Sequence, residues 1–163
     1  MRSSRALPLA AYLIASAVSA QSDGAARFGL APYAGVNFQR HMFWEAGLQW
    51  AQYDEGGSCS TPTYSAFKAG IEYMDAPTGR IIAPKVGASA EFYFLAFRGS
   101  VAGYAQGERV DPRAILEVGL SVPLCLVQFT YGWNIPLSGD RIDEVTDHRF
   151  GIALNLDRRI LGQ

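Results

Sequence analysis

The stretch RAILEVGLSV, residues 113–122, alternates between apolar and polar or glycine positions. One set of alternate positions holds Ala114, Leu116, Val118, Leu120 and Val122, and the other holds Glu117, Gly119 and Ser121. A period of two is that of a β-strand, whose successive side chains point to opposite faces of the sheet. Glu117 therefore marks the second face of a strand and does not interrupt a buried one.

The same alternation recurs along the chain and predicts eight strands. They are expected at residues 28–38, 41–53, 64–74, 81–92, 95–106, 113–122, 124–134 and 147–156. Turn-forming segments rich in Gly, Pro, Asp and Ser separate most of them, and Pro84 predicts a bulge or a rim position. We predict one barrel domain over 28–156, with a lead-in at 21–27 and a tail at 157–163.

The first twenty residues have the pattern of a secretory signal peptide. Arg2 and Arg5 precede the apolar run at 7–18, and small residues at 18–20 suit cleavage. The run is too short for a membrane anchor, and no later segment resembles a transmembrane helix. Removing 1–20 would leave 12 basic and 15 acidic residues, a net charge of −3, with no basic stripe for nucleic acid.

Every predicted strand from the second onward has one apolar face and one face of polar residues and glycine. A soluble sandwich or a half-exposed sheet would also alternate. Here, however, long charged side chains are mixed with Gly and Ser, as the filled interior of a narrow barrel requires. The predicted inward charges are Glu45, Lys68, Glu72, Lys85, Glu91, Arg98, Glu117 and Arg149. Their balanced signs predict an ion-pair network that fills the barrel, and a proton or ion path is the alternative.

Aromatic residues concentrate near the ends of the predicted strands. If the N-terminus is periplasmic, Trp44, Tyr73, Trp133 and Phe150 fall at the outer rim, and Trp50, Phe67, Phe92 and Phe97 at the inner rim. Two aromatic girdles around an apolar band are typical of transmembrane barrels. Because hydrocarbon cannot satisfy an open sheet edge, we predict an all-β fold, a closed antiparallel eight-stranded transmembrane β-barrel in up-and-down order.

Three segments, LEVGLSV (116–122), YGWNIPL (131–137) and HRFGIALNL (148–156), resemble the closing strands of small outer-membrane β-barrel proteins of Gram-negative bacteria. The resemblance is to the eight-stranded class that includes the OmpA-type transmembrane domain and OmpX. It implies an outer-membrane location, contact with lipid and lipopolysaccharide, insertion by the BAM assembly machinery, and usually no wide channel. Such barrels often end on an aromatic residue, whereas the last strand predicted here ends at Leu156.

Few residues of this chain suggest chemistry. His41 and His148 are both expected at the outer rim, and neither belongs to a recognisable hydrolase pattern, although Asp147 adjoins His148. A nucleophile needs a base within hydrogen-bond reach and a group that orients the base. We therefore expect no enzyme, cofactor or metal site. Cys59 and Cys125 are both expected at the periplasmic end, where a disulfide is permitted, and the sequence leaves that pairing open.

The expected function is that of a non-enzymatic integral outer-membrane protein with a filled interior. It would contribute to envelope integrity or present surface loops, predicted at 107–112 and 138–147. The second loop carries many charges, which suits divalent-bridged lipopolysaccharide or a protein partner, although a solvated loop is the simpler reading. The alternatives are a lipid-modifying outer-membrane enzyme, a narrow pore, and a soluble barrel that holds an apolar ligand.

Overall fold

The computed structural model describes residues 27–54, 63–122 and 126–157. Within these ranges no helix is long and apolar enough to cross a membrane. The predicted signal peptide, Cys59, Cys125 and the tail from residue 158 lie outside the described residues.

Eight β-strands make up almost all of the described chain. They are β1 (Arg27–Phe38), β2 (Met42–Asp54), β3 (Thr63–Ala76), β4 (Gly79–Phe92), β5 (Leu95–Gln106), β6 (Arg109–Val122), β7 (Val127–Pro136) and β8 (His148–Asn155). Each strand pairs antiparallel with the next along the chain, and β8 pairs with β1. The predicted closed, antiparallel, eight-stranded up-and-down barrel is confirmed.

The register of the strand pairs fixes the tilt of the barrel. Starting at Phe28 on β1, we follow each residue to its partner on the next strand. This path passes through Ala90 and Val118 and returns to β1 at Phe38. The stagger is therefore ten residues, from 28 to 38, over eight strands. With a rise of about 3.3 Å per residue and strands about 4.8 Å apart, this stagger corresponds to a tilt of about 40°.

The hairpin between β5 and β6 corrects one prediction. Residues 107–112 were expected to form a surface loop, but β6 begins at Arg109 and only Gly107 and Glu108 form the turn. Gly107 has a φ of +60°, which glycine adopts without steric cost. The strand therefore includes Asp111 and Arg113, whose side chains point into the barrel mouth and are buried.

Pro84 lies within β4 and does not form the predicted bulge. It pairs with Ile71 of β3 in a register that continues unchanged on both sides. The pairing with β5 keeps one register from Ile82 to Lys85, so no extra residue is inserted. The side chain of Pro84 is exposed on the outer face of the wall.

Small residues on the inner face allow the wall to curve tightly. A Cβ atom added to Gly119 of β6 would overlap the carbonyl oxygen of Phe129 on β7. By contrast, a Cβ added to Gly103, on the outer face of β5, would meet nothing within 4 Å. Glycine is thus required by close backbone approach at the first position and not at the second.

Candidate functional site

The charged interior of the barrel is the principal candidate site. All eight residues of the predicted inward set are buried, each with at most 7% of its surface exposed. They are Glu45, Lys68, Glu72, Lys85, Glu91, Arg98, Glu117 and Arg149. They come from six different strands, so only closure of the sheet brings them together.

Six of these residues, three carboxylates and three cations, are joined by ion pairs, and we call them the central network. They are Glu45, Glu72, Glu117, Lys85, Arg98 and Arg149. Arg149 Nη2 lies 2.6 Å from Glu72 Oε1, and Lys85 Nζ lies 2.8 Å from the same oxygen. Each cation of this network contacts at least two carboxylates. Mutual pairing of this kind offsets the cost of burying the charges.

Arg98 and Arg149 also share a carboxylate on β6. Arg98 Nε lies 3.5 Å from one oxygen of Glu117, and Arg149 Nε lies 3.3 Å from the other. Thr130 donates a hydrogen bond of 3.3 Å to Glu117. Glu117 of β6 therefore connects a cation of β5 with a cation of β8.

The other two residues of the set have different partners. Lys68 Nζ donates to Asn155 Oδ1 at 3.3 Å and lies 5.1 Å from the centre of the Tyr33 ring. Glu91 accepts hydrogen bonds from Ser121 at 2.5 Å, from Asn155 at 3.3 Å and from Gln128. The Asn155 amide thus links Lys68 to Glu91, and no direct ion pair joins these two side chains in the described part of the chain.

Several interior polar residues were not in the predicted set. Tyr104 donates to Glu72 at 2.9 Å and accepts from Arg149 at 3.1 Å. Arg113 binds Asp111 through Nη2 at 2.7 Å. The signal was present for both: Arg113 shares the parity of Glu117 within the predicted strand 113–122, and Asp111 shares it once β6 is extended to Arg109.

The loop between β7 and β8, residues 137–147, closes the outer mouth of the barrel. Its Ile142 and Val145 are buried in an apolar cluster with residues of five strands. That cluster also contains Phe43, Met74, Ile81, Ala83, Ala102, Tyr104 and Ile115. Because apolar side chains gain free energy when they leave water, this loop folds into the mouth and does not extend from it. We call it the capping loop.

Polar contacts hold the capping loop to β6 and to the β3–β4 turn. The Ile142 N–H donates to Asp111 Oδ2 at 3.1 Å, and Arg113 Nη1 lies 3.0 Å from Asp147 Oδ1. Thr78, in the β3–β4 turn, donates a hydrogen bond to Glu144. This bond, followed by weaker effects that include the nearby positive charges, holds the pKa of the Glu144 carboxyl below its ordinary value.

The outer face of the barrel carries the predicted girdle aromatics. Seven of the eight are exposed by 43 to 57%, and Tyr73 is half-buried. The exposed seven are Trp44, Trp50, Phe67, Phe92, Phe97, Trp133 and Phe150. Trp44 pairs directly with Tyr73. Near the opposite end of the same strands, Trp50 pairs with Phe67, and their rings stack with centroids 6.4 Å apart.

The wall between the two aromatic groups is apolar on its outer face. Every outward residue from Ile82 to Phe92 on β4, and from Val110 to Val122 on β6, is apolar. The eleven residues of β4 from 82 to 92, tilted by about 40°, span about 25 Å along the barrel axis. Charged side chains reappear on the outer face at Asp75 and Arg80, which belong to the β3–β4 hairpin beyond this band.

The two histidines have different surroundings at this end of the barrel. His148 Nδ1 lies 2.9 Å from the Tyr131 hydroxyl on the outer surface, and His41 belongs to the β1–β2 turn. Within residues 27–54, 63–122 and 126–157, no three His, Cys, Asp or Glu side chains lie where they would hold a metal ion.

Among the described residues, a small cavity lies beside the central network. Its volume is about 10 Å³, and its lining includes Tyr33, Glu45, Lys68, Lys85, Arg98 and Ser100. That volume is close to the minimum that holds one water molecule. A cavity of this size excludes an organic ligand.

Fold and site together define a class of protein, a small closed barrel with a charged, filled interior and an apolar outer surface. Comparisons of this chain with protein families, with curated proteins and with solved structures returned no match.

Proposed function

We propose that this chain is an integral outer-membrane protein whose barrel spans the bilayer and whose role is non-enzymatic. The observation that carries the proposal is the inverted distribution of polarity. The outer face presents an uncharged apolar band of about 25 Å, the height of the lipid-facing band in transmembrane barrels, and the interior holds the charges.

Water would make this distribution unfavourable. Soluble proteins rarely expose contiguous apolar patches larger than a few hundred Å², yet Leu116, Val118 and Leu120 are among many large apolar side chains exposed here. In a bilayer the same surface is matched by hydrocarbon, and the closed sheet leaves no unpaired edge. The tilt of about 40° also lies within the range of 35–45° typical of transmembrane barrels.

The proposed role is to contribute to the integrity of the envelope and to present at the cell surface the end of the barrel that the capping loop closes, which we call the capped end. The partners of the proposal are outer-membrane lipid and lipopolysaccharide, with BAM acting during insertion. The capped end suits lipopolysaccharide, because exposed Arg40, Arg80, Arg109 and Arg141 lie at this end, near exposed acidic residues. Arginine binds phosphate well, and a divalent cation would bridge the acidic residues to the same phosphates.

The filled lumen argues against the pore and the ligand-binding alternatives. A soluble ligand-binding barrel needs an apolar cavity, whereas this interior is charged and its described cavity has about 10 Å³. A pore needs a continuous aqueous path, and the central network and the capping loop lie across the axis. The lipid-modifying enzyme is disfavoured because no hydrogen bond between described residues joins the side chain of His41 or His148 to a serine or a carboxylate. His148 contacts the Tyr131 hydroxyl instead.

Fractionation of expressing cells tests the proposal directly. Membrane-extracted protein is run on SDS gels with and without boiling. We expect the full chain in the outer-membrane fraction, with faster migration before boiling because the closed barrel resists the detergent. Recovery as a soluble periplasmic protein with no heat-dependent shift would refute the membrane assignment and make ligand binding the leading function.

A further inference from the structure

The cavity beside the central network has an unusual lining. Three cations, Lys68, Lys85 and Arg98, contribute to it, against a single carboxylate, Glu45. Glu45 already lies 3.1 Å from both Lys85 and Arg98, and it accepts a hydrogen bond of 2.8 Å from Asn37. Lys85 and Arg98 also contact Glu72 and Glu117, so each of these two cations has two carboxylate partners.

Lys68 is the lining cation that has no direct carboxylate contact among the described residues. It is buried, and of the four cations in the predicted interior set it is the one without an ion pair among the described residues. Its Nζ donates a hydrogen bond of 3.3 Å to the neutral amide oxygen of Asn155 and lies 5.1 Å from the centre of the Tyr33 ring. An ammonium group has three N–H donors, and a buried charge is costly unless an opposite charge or a metal compensates it.

Two further donors of the same lining have no partner. Arg98 Nη1 and Ser100 Oγ are both buried and make no hydrogen bond to any residue that the structure describes. Buried donors without partners cost about 1–3 kcal/mol each, so a species that accepts hydrogen bonds would be favoured here. A cation is disfavoured by the surrounding charge, and an organic anion does not fit in about 10 Å³.

We propose that this cavity binds one small monatomic anion, of the halide class, held by Lys68, Arg98 and Ser100. The anion would accept hydrogen bonds from the two unpartnered donors and would pair directly with Lys68. This inference rests on the geometry of the lumen and is independent of the membrane in which the barrel lies.

Bromide is the probe for the unmodified protein. Crystals of the purified full chain are grown in sodium bromide, and the anomalous difference map is measured at the bromine edge. We expect a peak in the cavity, within hydrogen-bond distance of Arg98 Nη1 and Ser100 Oγ. An ordered water without anomalous signal, or an empty cavity, overturns the proposal.

A matched pair of serine variants tests the role of the lining in solution. Ser100→Ala removes a cavity donor, whereas Ser89→Ala removes another buried, unpartnered hydroxyl that is not among the lining residues. Halide affinity is read from the shift in unfolding temperature between sodium bromide and sodium gluconate at equal ionic strength. We expect Ser100→Ala to weaken bromide binding roughly tenfold or more and Ser89→Ala to leave it unchanged.

The charge requirement is tested by Lys68→Met, which keeps the length of the side chain but removes the ammonium. We expect the folded variant to lose the bromide-dependent shift. A shift that persists in this variant, or one that Ser89→Ala and Ser100→Ala reduce equally, contradicts the assignment. If Lys68→Met does not fold, the anomalous map of the unmodified protein and the serine pair still decide the question.

Discussion

Leu116 and Glu117 are adjacent in the chain and lie in opposite environments. Leu116 is half exposed on the outer wall, and Glu117 is buried between Arg98 and Arg149. The strand period produces this contrast without any long-range information. For a single residue, whether a polar or an apolar substitution is tolerated follows from the face of the strand on which the residue lies.

Leu116→Glu is expected to impair assembly far more than Glu117→Gln. On the proposed lipid face a charge near the bilayer centre costs about 2–4 kcal/mol for Lys or Arg and less for Glu. Glu117→Gln keeps the shape of the side chain but weakens its contacts with two cations, so we expect a folded, less stable barrel. The fraction of heat-shifted protein on unboiled gels measures both effects. Equal tolerance of the two changes would contradict the lipid-face assignment.

Gly119→Ala is expected to destabilise the barrel by about 1–3 kcal/mol, because the added methyl group meets the backbone of β7. Gly103→Ala is the matched control, since its added methyl group meets nothing within 4 Å. The midpoint of urea unfolding, followed by tryptophan fluorescence, compares the two variants. If Gly103→Ala is the more destabilising, the register between β6 and β7 is not the one described.

The capping loop is the element whose structure departs most from a simple sequence reading. Its charges suggested an exposed surface loop, but Ile142 and Val145 are buried in the barrel mouth. Arg141, in the same loop, remains exposed, and its Nη1 lies 3.6 Å from Asp147 Oδ2. The loop thus combines an apolar inner side with a charged outer side.

Trypsin cleavage after Arg141 reports whether the capping loop is docked. Replacing Ile142 and Val145 together by Ala removes the apolar contacts that hold the loop, so we expect cleavage to become several-fold faster. Leu137→Ala, in the same loop but exposed, is the control and should leave the rate unchanged. An unchanged rate in the double variant would mean that the polar contacts alone hold the loop.

Acid is expected to loosen the capping loop through Glu144. Because the folded-state pKa of Glu144 lies below its ordinary value of 4.5, its ionised form stabilises the docked loop above that pH. The contribution is lost as the pH falls through the lower, folded-state pKa. Hydrogen exchange of the loop amides, corrected for the intrinsic rate, measures this loss. Glu144→Gln should reduce the pH dependence, and an identical dependence in that variant would exclude Glu144 as its origin.

The whole molecule is defined by closure of the sheet with a stagger of ten residues. That stagger sets the tilt of the strands and the radius of the lumen together. The lumen is narrow enough for side chains from opposite walls to meet, as Arg149 of β8 meets Glu72 of β3. This contact between side chains of two strands that are not neighbours forms only when the sheet has closed.

Polarised infrared spectroscopy of the protein in oriented bilayers tests the tilt and the membrane insertion together. We expect amide dichroism that corresponds to strands tilted about 40° from the bilayer normal. The same protein in detergent solution, where orientation is random, is the control. Absence of dichroism in oriented bilayers would contradict a barrel inserted along the membrane normal.

The sequence by itself determined the eight strands and the two faces of each strand from the second onward, because side-chain parity is a local property of an extended chain. Glu117, Trp50 and Phe67 could be placed on their faces without knowledge of any partner. Only the tertiary structure decided which charges meet, since the pairing of Arg149 with Glu72 depends on the stagger of all eight strands. It also decided the fate of Ile142 and Val145, because their burial requires an apolar mouth that exists only after the barrel has closed.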